Sequence, residues 1–136
     1  MRTCISLLFV LVFISCAPSK VDFEVADLRC EYLTNPTGID VPIPRLSWKM
    51  KSAKQGATQT AYHILVASSD SLLRQDKGDL WDSGMTKSDQ SSQVEYHGKP
   101  LNSGEFVYWK VRIRNQKHFS SPWSKSAWWE LSLIHI

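Results

Sequence analysis

The feature that most constrains the fold is a two-residue alternation of apolar and polar side chains between Phe106 and Asn115. The apolar positions of this stretch are Val107, Trp109, Val111 and Ile113, and they are separated by Tyr108, Lys110 and Arg112. Successive side chains of a β-strand point to opposite faces of the sheet, so this spacing predicts a strand that buries one face. The rest of the chain shows alternation and turn residues rather than helical periodicity. The sequence therefore predicts an all-β fold.

Shorter stretches of the same kind recur between turn signals. Residues 28–32 alternate and are expected to place Leu28, Cys30 and Tyr32 on one face, and residues 46–50 alternate likewise. Residues 60–67 are apolar on both faces, which is typical of a central strand. Shorter strands are predicted at residues 80–84, 93–96 and 127–131, with one helical turn within residues 68–76. About seven short strands punctuated by turns favour a two-sheet sandwich.

Charge and cysteine content narrow the classes of partner. The chain has 16 basic and 13 acidic residues with a formal net charge of +3, and these residues are interspersed. The lack of any run of Lys or Arg argues against nucleic acid as a partner. Two of the three cysteines, Cys4 and Cys16, lie in the apolar N-terminal stretch. Cys30 is therefore left without a partner for an intrachain disulfide.

The first 16 residues have the composition of an export signal. Arg2 is followed by an almost unbroken apolar run from Ile5 to Ile14. A run of this length is too short to cross a bilayer comfortably but matches the hydrophobic segment of a signal peptide. We therefore expect residues 1–16 to be a signal peptide and the protein to reach the periplasm or the cell surface.

The signal peptide ends on a candidate lipidation site. Phe13-Ile14-Ser15-Cys16 resembles the lipobox of bacterial lipoproteins, in which the cysteine is lipidated and becomes the new N-terminus. Two or more acyl chains on Cys16 would anchor the protein stably to a membrane, and residues 17–25 would form a short tether. Cleavage after Ala17 without lipidation is the alternative that the sequence leaves open.

Several motifs of the domain resemble known β-sandwich families. Fibronectin type III domains share the pattern of Trp48, Trp109-x-Val111-x-Ile113, Asn115 and Ser121-Pro122-Trp123-Ser124. A more specific resemblance is to the N-terminal domain of bacterial α-L-rhamnosidases, whose motifs occur here in the order of the family. They are Asn35-Pro36-x-Gly38-Ile39-Asp40, Pro44-Arg45-Leu46-Ser47-Trp48, Gln59-Thr60-Ala61-Tyr62-x-Ile64-Leu65-Val66-Ala67-Ser68, Gly78-Asp79-Leu80-Trp81-Asp82-Ser83-Gly84, Ser88-Asp89-Gln90-Ser91, Tyr108-Trp109-Lys110-Val111-Arg112, and Trp123-Ser124 with Ala127-x-Trp129-Glu130.

The resemblance covers residues 26–131 and implies an immunoglobulin-like, fibronectin type III-like β-sandwich at the front of a longer enzyme. In that family further β-domains and an (α/α)₆ barrel follow, and the barrel holds the acidic residues that hydrolyse terminal rhamnosides. Those residues have no counterpart in this chain, so the resemblance implies a non-catalytic module whose partners are the downstream domains of the same polypeptide. Residues 132–136 form an apolar tail that departs from the family pattern, and we expect a truncated or non-native end there.

The sequence predicts no catalytic, metal-binding or cofactor-binding residue. Glycoside hydrolysis needs two carboxyl groups roughly 5 to 9 Å apart, and the pair that comes nearest to this pattern is Asp79 and Asp82, on either side of Trp81. Turn chemistry is the favoured interpretation of both, because Asp side chains stabilise turns and glycines lie next to them. The four histidines lack the spacing of a metal site. Cys30 is expected to be a small core residue.

Tryptophan side chains are the candidate contact residues. Trp81, Trp123 and Trp128 are candidates for stacking on sugar rings or for covering an interface with a neighbouring domain, and burial or an interface is the favoured interpretation. The resemblance to related sandwich domains also implies that Trp123 lies over Arg112 or Arg114 in a cation–π contact. Two functions remain open at this point. One is the front module of an exported α-L-rhamnosidase; the other is a stand-alone surface lipoprotein that binds carbohydrate or protein.

Overall fold

The structure is a computed structural model that describes residues 22–133. The predicted signal peptide, the candidate lipid site Cys16 and residues 17–21 of the predicted tether lie outside the described residues. Within residues 22–133 the elements are β1 (Phe23–Cys30), β2 (Arg45–Ser52), β3 (Gln59–Ala67), α1 (Asp70–Arg74), β4 (Trp81–Asp82), β5 (Thr86–Lys87), β6 (Val94–Glu95), β7 (Phe106–Asn115) and β8 (Ala127–Glu130). No helix in this part of the chain has the length and apolarity needed to cross a membrane.

The strands form two antiparallel sheets. The smaller sheet has the order β1-β2-β6, and the larger has the order β4-β3-β7-β8, with β5 also paired to β3. The predicted immunoglobulin-like, two-sheet sandwich is confirmed. The described residues hold eight strands rather than about seven, because the sequence did not predict β5. β5 consists of Thr86 and Lys87 and lacks the large apolar residue that marks the equally short β4 and β6.

β3 and β7 form the centre of the larger sheet. Their register pairs Tyr62 with Ile113 and Val66 with Trp109. The other side of β3 pairs with β4 and β5, so the prediction that this strand is central is confirmed. A central strand carries neighbours on both sides and is covered on both faces, which explains why apolar residues occupy both faces of β3.

The core lies between the two sheets and uses the alternating positions of β7. Val107, Trp109, Val111 and Ile113 are all fully buried, as their spacing predicts. The same cluster contains Trp48 from β2 and Trp129 from β8, and the rings of Trp109 and Trp129 lie 6.3 Å apart in an edge-on arrangement. Truncating a buried tryptophan to alanine typically costs about 3–5 kcal/mol, so these rings dominate the stability of the sandwich.

A second, smaller cluster covers the outer face of β3. Leu65 and Ala67 pack there against Leu73 of α1. The helix begins after Ser69, whose hydroxyl oxygen accepts a hydrogen bond from the backbone N–H of Leu72 at 3.2 Å. This is an ordinary N-cap, and the predicted helical turn is confirmed.

β1 differs from the expectation at both ends. It begins at Phe23, so residues 23–25, which were expected to lie in the tether, form part of the sandwich, with Phe23 and Val25 buried. At the other end Tyr32 is exposed rather than on the face of Leu28 and Cys30. The reason is that Glu31 and Tyr32 both have positive φ angles, 49° and 65°, which end the strand and break its alternation.

Candidate functional site

Trp123 lies against the outer face of the larger sheet, where two cations of β7 cover its ring. The guanidinium carbon of Arg112 is 4.6 Å from the ring centroid, and the ammonium nitrogen of Lys110 is 4.8 Å from it. The imidazole of His63 in β3 has its centroid 5.0 Å away. The predicted cation–π contact with Arg112 is confirmed. These neighbours leave the Trp123 side chain half-buried.

A chain of hydrogen bonds runs from Arg112 through His63 to Asp82. Arg112 Nη2 is 3.2 Å from His63 Nδ1, and His63 Nε2 is 2.6 Å from Asp82 Oδ1. A guanidinium only donates, so Nδ1 of His63 accepts and Nε2 carries the proton that is donated to Asp82. Partial burial acts to raise the pKa of Asp82, but hydrogen bonds from the Gly84 N–H and from His63 outweigh it and hold this pKa below its ordinary value.

Asp79 and Asp82 serve different partners. Asp79 accepts hydrogen bonds from the backbone N–H and the hydroxyl of Ser68, at 2.8 and 2.5 Å, and so ties the segment before β4 to the end of β3. Asp82 accepts from the backbone N–H of Gly84 at 2.9 Å and closes the turn after β4. Partial burial opposes ionisation of Asp79, yet the two bonds from Ser68 hold its pKa below the ordinary value. These contacts agree with the turn interpretation of both residues.

Trp81 and Trp128 are half-buried, each against another aromatic ring. The ring of Trp81 meets that of Tyr96 edge-on, with centroids 5.5 Å apart, and Trp128 stacks on Phe106 at 4.7 Å. Trp81 lies on β4 and Trp128 on β8, at opposite edges of the larger sheet. The structure therefore does not bring the three candidate tryptophans, Trp123 included, onto one platform.

Cys30 is buried at the end of β1. Desolvation raises the pKa of its thiol far above the ordinary value, so the sulfur stays protonated and unreactive. This environment agrees with the expected role of a small core residue. Among residues 22–133 no group of three or more His, Cys, Asp or Glu side chains is placed to hold a metal ion.

The structure also shows exposed apolar residues that sequence patterns missed. Within the described range the large ones are Tyr32, Leu33, Val41, Ile43, Phe119 and Leu133. Four of these six lie in residues 31–44, the connection between β1 and β2, and Leu133 follows β8. Single exposed apolar residues are ordinary, whereas a cluster on one segment is typical of a contact surface. The available signal was Val41-Pro42-Ile43-Pro44, in which apolar residues lie between prolines, but it indicated only an extended chain.

Comparison with models of protein families matches residues 25–135 to the family described as the Rha78A-like, N-terminal immunoglobulin domain. The chain belongs to this family. This match confirms the resemblance to the N-terminal domain of α-L-rhamnosidases. The match extends to residue 135, beyond residue 131, where the family motifs in the sequence end.

Among curated proteins, the Rha78A-like domain is similar to α-L-rhamnosidases. It is 43% identical to one from Streptomyces avermitilis over 111 residues, which are 82% of this chain and 11% of the relative. It is 35% identical to one from Formosa agariphila over 116 residues, 85% of this chain and 12% of the relative. The chain therefore spans only 11–12% of the length of these relatives.

Solved structures give the same result. The Rha78A-like domain superposes on part of the α-L-rhamnosidase of Streptomyces avermitilis complexed with L-rhamnose, with a TM-score of 0.78 and 41% identity over 82% of this chain and 11% of that one. The α-L-rhamnosidase from Dictyoglumus thermophilum gives a TM-score of 0.78 and 36% identity over 81% of this chain and 12% of that one. The native enzyme from Aspergillus terreus, at 24% identity and a TM-score of 0.68, shares the fold.

Proposed function

We propose that this domain is the non-catalytic N-terminal module of an exported α-L-rhamnosidase, in which a downstream barrel hydrolyses terminal α-L-rhamnosides. One observation carries the proposal: the domain is 43% identical to an α-L-rhamnosidase and covers only 11% of that protein. A polypeptide of that length has ample room for a catalytic domain. The partners of the module are then the downstream domains of its own chain.

The electrostatics of four carboxylates support a role outside catalysis for them. A glycosidase needs one carboxyl group whose pKa is raised so that it donates a proton near neutral pH. Asp79 and Asp82 have lowered pKa values, as described above. Hydrogen bonds from Arg29 and Arg45 likewise lower the pKa values of Asp27 and Glu31. These carboxylates stay ionised and stabilise turns and ion pairs.

The proposal is tested in the full-length protein with an aryl α-L-rhamnoside as substrate. Removing a catalytic carboxylate lowers kcat by about 10²–10⁴-fold. We expect Asp79→Asn and Asp82→Asn each to leave kcat within about twofold of the wild type, a change too small for lost acid–base catalysis. A large loss of kcat with unchanged thermal stability in either variant would contradict the non-catalytic role. A full-length protein without rhamnosidase activity would contradict the assignment of the enzyme.

Export and membrane anchoring through Cys16 complete the proposal. The support is the apolar run from Ile5 to Ile14 and the lipobox-like Phe13-Ile14-Ser15-Cys16. Mass spectrometry of the mature N-terminus is expected to show a lipidated Cys16. Cys16→Ser is expected to move the protein from the membrane fraction to the soluble exported fraction. A mature chain that starts after Ala17 and carries no lipid would contradict the anchor but not the export.

A second candidate function is carbohydrate binding by a stand-alone surface lipoprotein. It is favoured by a groove of about 510 Å³ between β1 and residues 122–127, which is lined by Trp123 together with polar side chains such as Thr34 and Lys125. A groove of this size is within the range of small-ligand sites. Calorimetry of the purified protein with rhamnose-containing oligosaccharides tests it. Binding that Thr34→Ala and Lys125→Ala weaken would favour this function, and no detectable heat would count against it.

A further inference from the structure

The connection between β1 and β2 runs beside the chain that leaves β8. Ile39 and Leu131 form an isolated parallel bridge. The backbone N–H of Ile39 donates to the carbonyl of Glu130 at 2.9 Å, and the N–H of Ser132 donates to the carbonyl of Ile39 at 2.8 Å. Because the bridge is parallel, both chains leave it in the same direction. The residues that follow Ile39 and those that follow Leu131 therefore lie at the same end of the sandwich.

Exposed apolar residues follow this bridge on both of its chains. Val41, Ile43 and Leu133 have 40%, 53% and 79% of their surface exposed, and together we call them the exit surface. Leu133 lies against Gly104, where a Cβ would meet its side chain at 2.5 Å. The side chains of Ile39 and Leu131, the two residues that form the bridge, are buried. The exit surface thus follows directly on two buried core residues, at the end of the sandwich where the chain leaves β8.

The segment that carries Val41 and Ile43 is stiffened by prolines and holds little charge. Asp40 is the only charged residue between Thr34 and Pro44. Pro42 and Pro44 fix their own φ angles, so the segment loses little conformational entropy when a partner covers it. A surface of this kind suits an apolar protein partner rather than a charged ligand.

We infer that the exit surface docks the domain that immediately follows this module in the full-length polypeptide. The inference rests on the proposed function, since it takes the chain to continue into an enzyme like its relatives, of which this domain covers only 11–12%. A domain joined directly after Leu133 is held next to Val41 and Ile43 at a high effective concentration, so a modest apolar contact suffices to dock it. Interfaces between domains of one chain typically bury about 600–1,500 Å².

The test uses the full-length protein and limited proteolysis of the junction that follows residue 133. The variant is V41E/I43E, and the matched control is F119E, because Phe119 and Ile43 are both 53% exposed and Phe119 lies in the turn after β7. All three positions are exposed, so the substitutions leave the core intact. Together the two carboxylates introduced into an apolar interface cost at least about 1.4 kcal/mol, which is tenfold in the docking equilibrium. We expect V41E/I43E to speed cleavage of the junction at least about tenfold and F119E to leave it unchanged.

Several results would overturn the inference. One is equal cleavage of wild type, V41E/I43E and F119E. A second is a wild-type dimer that dissociates in V41E/I43E, because a second copy would then cover the surface.

Rhamnosidase activity on an aryl rhamnoside separates this inference from the proposed function. An active enzyme without the proteolytic effect refutes the exit surface alone, whereas an inactive protein with the effect refutes the enzyme and keeps the docking. A reading frame that stops after codon 136 would refute both.

Discussion

Trp48 Nε1 donates a hydrogen bond to Gln59 Oε1 at 2.9 Å, and both side chains are buried. The amide nitrogen of Gln59 in turn donates to the carbonyls of Ser88 and Gln90, at 3.1 and 2.8 Å. One side chain of β3 therefore joins β2 of the opposite sheet to the loop after β5. Gln59→Leu would leave the indole N–H buried without an acceptor, and we expect it to lower the free energy of unfolding by about 1–3 kcal/mol. Chemical denaturation of the two proteins measures this loss.

Trp48→Phe provides the matching control for this bond. It removes the donor and keeps most of the aromatic volume. If the bond is responsible, Gln59→Leu costs less in the Trp48→Phe background than in the wild type, and a double-mutant cycle gives a coupling free energy of about 0.5–3 kcal/mol. Strict additivity of the two substitutions would contradict the role of the bond.

Removing the ring of Trp123 is expected to weaken the outer face of the larger sheet. The ring lies under Arg112 and Lys110, and such cation–π contacts contribute about 0.5–2 kcal/mol each. We expect Trp123→Ala to lower the midpoint of thermal unfolding, while Phe119→Ala, at an exposed position, changes stability by less than about 0.5 kcal/mol. Equal effects of the two substitutions would show that the cations do not stabilise the ring.

The lowered pKa of Asp82 is expected to make the stability of the fold decrease in the acidic pH range. Its pKa is lower in the folded protein than the ordinary value of 3.8. The folded state therefore binds protons less readily than the unfolded state. The ionised Asp82 stabilises the fold at pH values above the unfolded-state pKa, and this stabilisation is lost as the pH falls through the folded-state pKa. We expect denaturant titrations between about pH 6 and about pH 2 to show a steeper loss of stability in the wild type than in Asp82→Asn. A parallel loss in both proteins would contradict the shift. Asp40→Asn, at an exposed position, serves as the control.

Gly98 and Gly38 separate a steric requirement for glycine from a conformational one. A Cβ on Gly98 would lie 2.4 Å from the Tyr96 hydroxyl and 2.5 Å from the Leu80 carbonyl oxygen, whereas a Cβ on Gly38 would meet nothing within 4 Å. Gly38 instead has a φ of +71°, which costs a residue with a side chain about 1 kcal/mol. We expect Gly98→Ala to cost about 1–3 kcal/mol by overpacking and to disturb the ring of Trp81. Thermal unfolding and tryptophan fluorescence measure both effects; a Gly98→Ala protein as stable as the wild type would contradict the close approach.

The burial of Cys30 predicts how its thiol reacts. Within residues 17–136 Cys30 is the one cysteine, so labelling of this domain reports on it. Its thiol is buried and protonated, so a thiol reagent is expected to label it only when the core opens, at least about 100-fold more slowly than in denaturant. Rapid labelling of the native protein would contradict the burial of this end of β1.

Sequence patterns predict the interior of this domain better than its connections. The alternation in β7 is reliable because one face of the strand is buried along its whole length, and burial of one face imposes a period of two. The apolar pattern of residues 60–67 likewise follows from a central position in the sheet. The left-handed angles of Glu31 and Tyr32 leave no such period, so Tyr32 was placed on the wrong face.

Surface contacts depend on pairings between distant residues, which no local pattern reports. Related sandwich domains predict a contact of Trp123 with Arg112 or Arg114, but the link from Arg112 through His63 to Asp82 joins three separate strands. The exit surface depends on the bridge between Ile39 and Leu131, which are far apart in the sequence. Only the folded chain shows that Val41 and Leu133 lie at the same end.

The pairing of β3 with β7 has a consequence for how the chain assembles. β3 ends at Ala67 and β7 begins at Phe106. The central strand pair of the larger sheet therefore cannot form until nearly forty intervening residues have been synthesised. Trp129, which fills the same core, emerges later still. Contacts between such distant segments form slowly, because the loop between them must close before any contact is made. A nascent chain that has just completed β3 therefore carries an apolar strand whose partner β7 does not yet exist, and at that moment the β1–β2 pair is the strand pair of the sandwich that can already form.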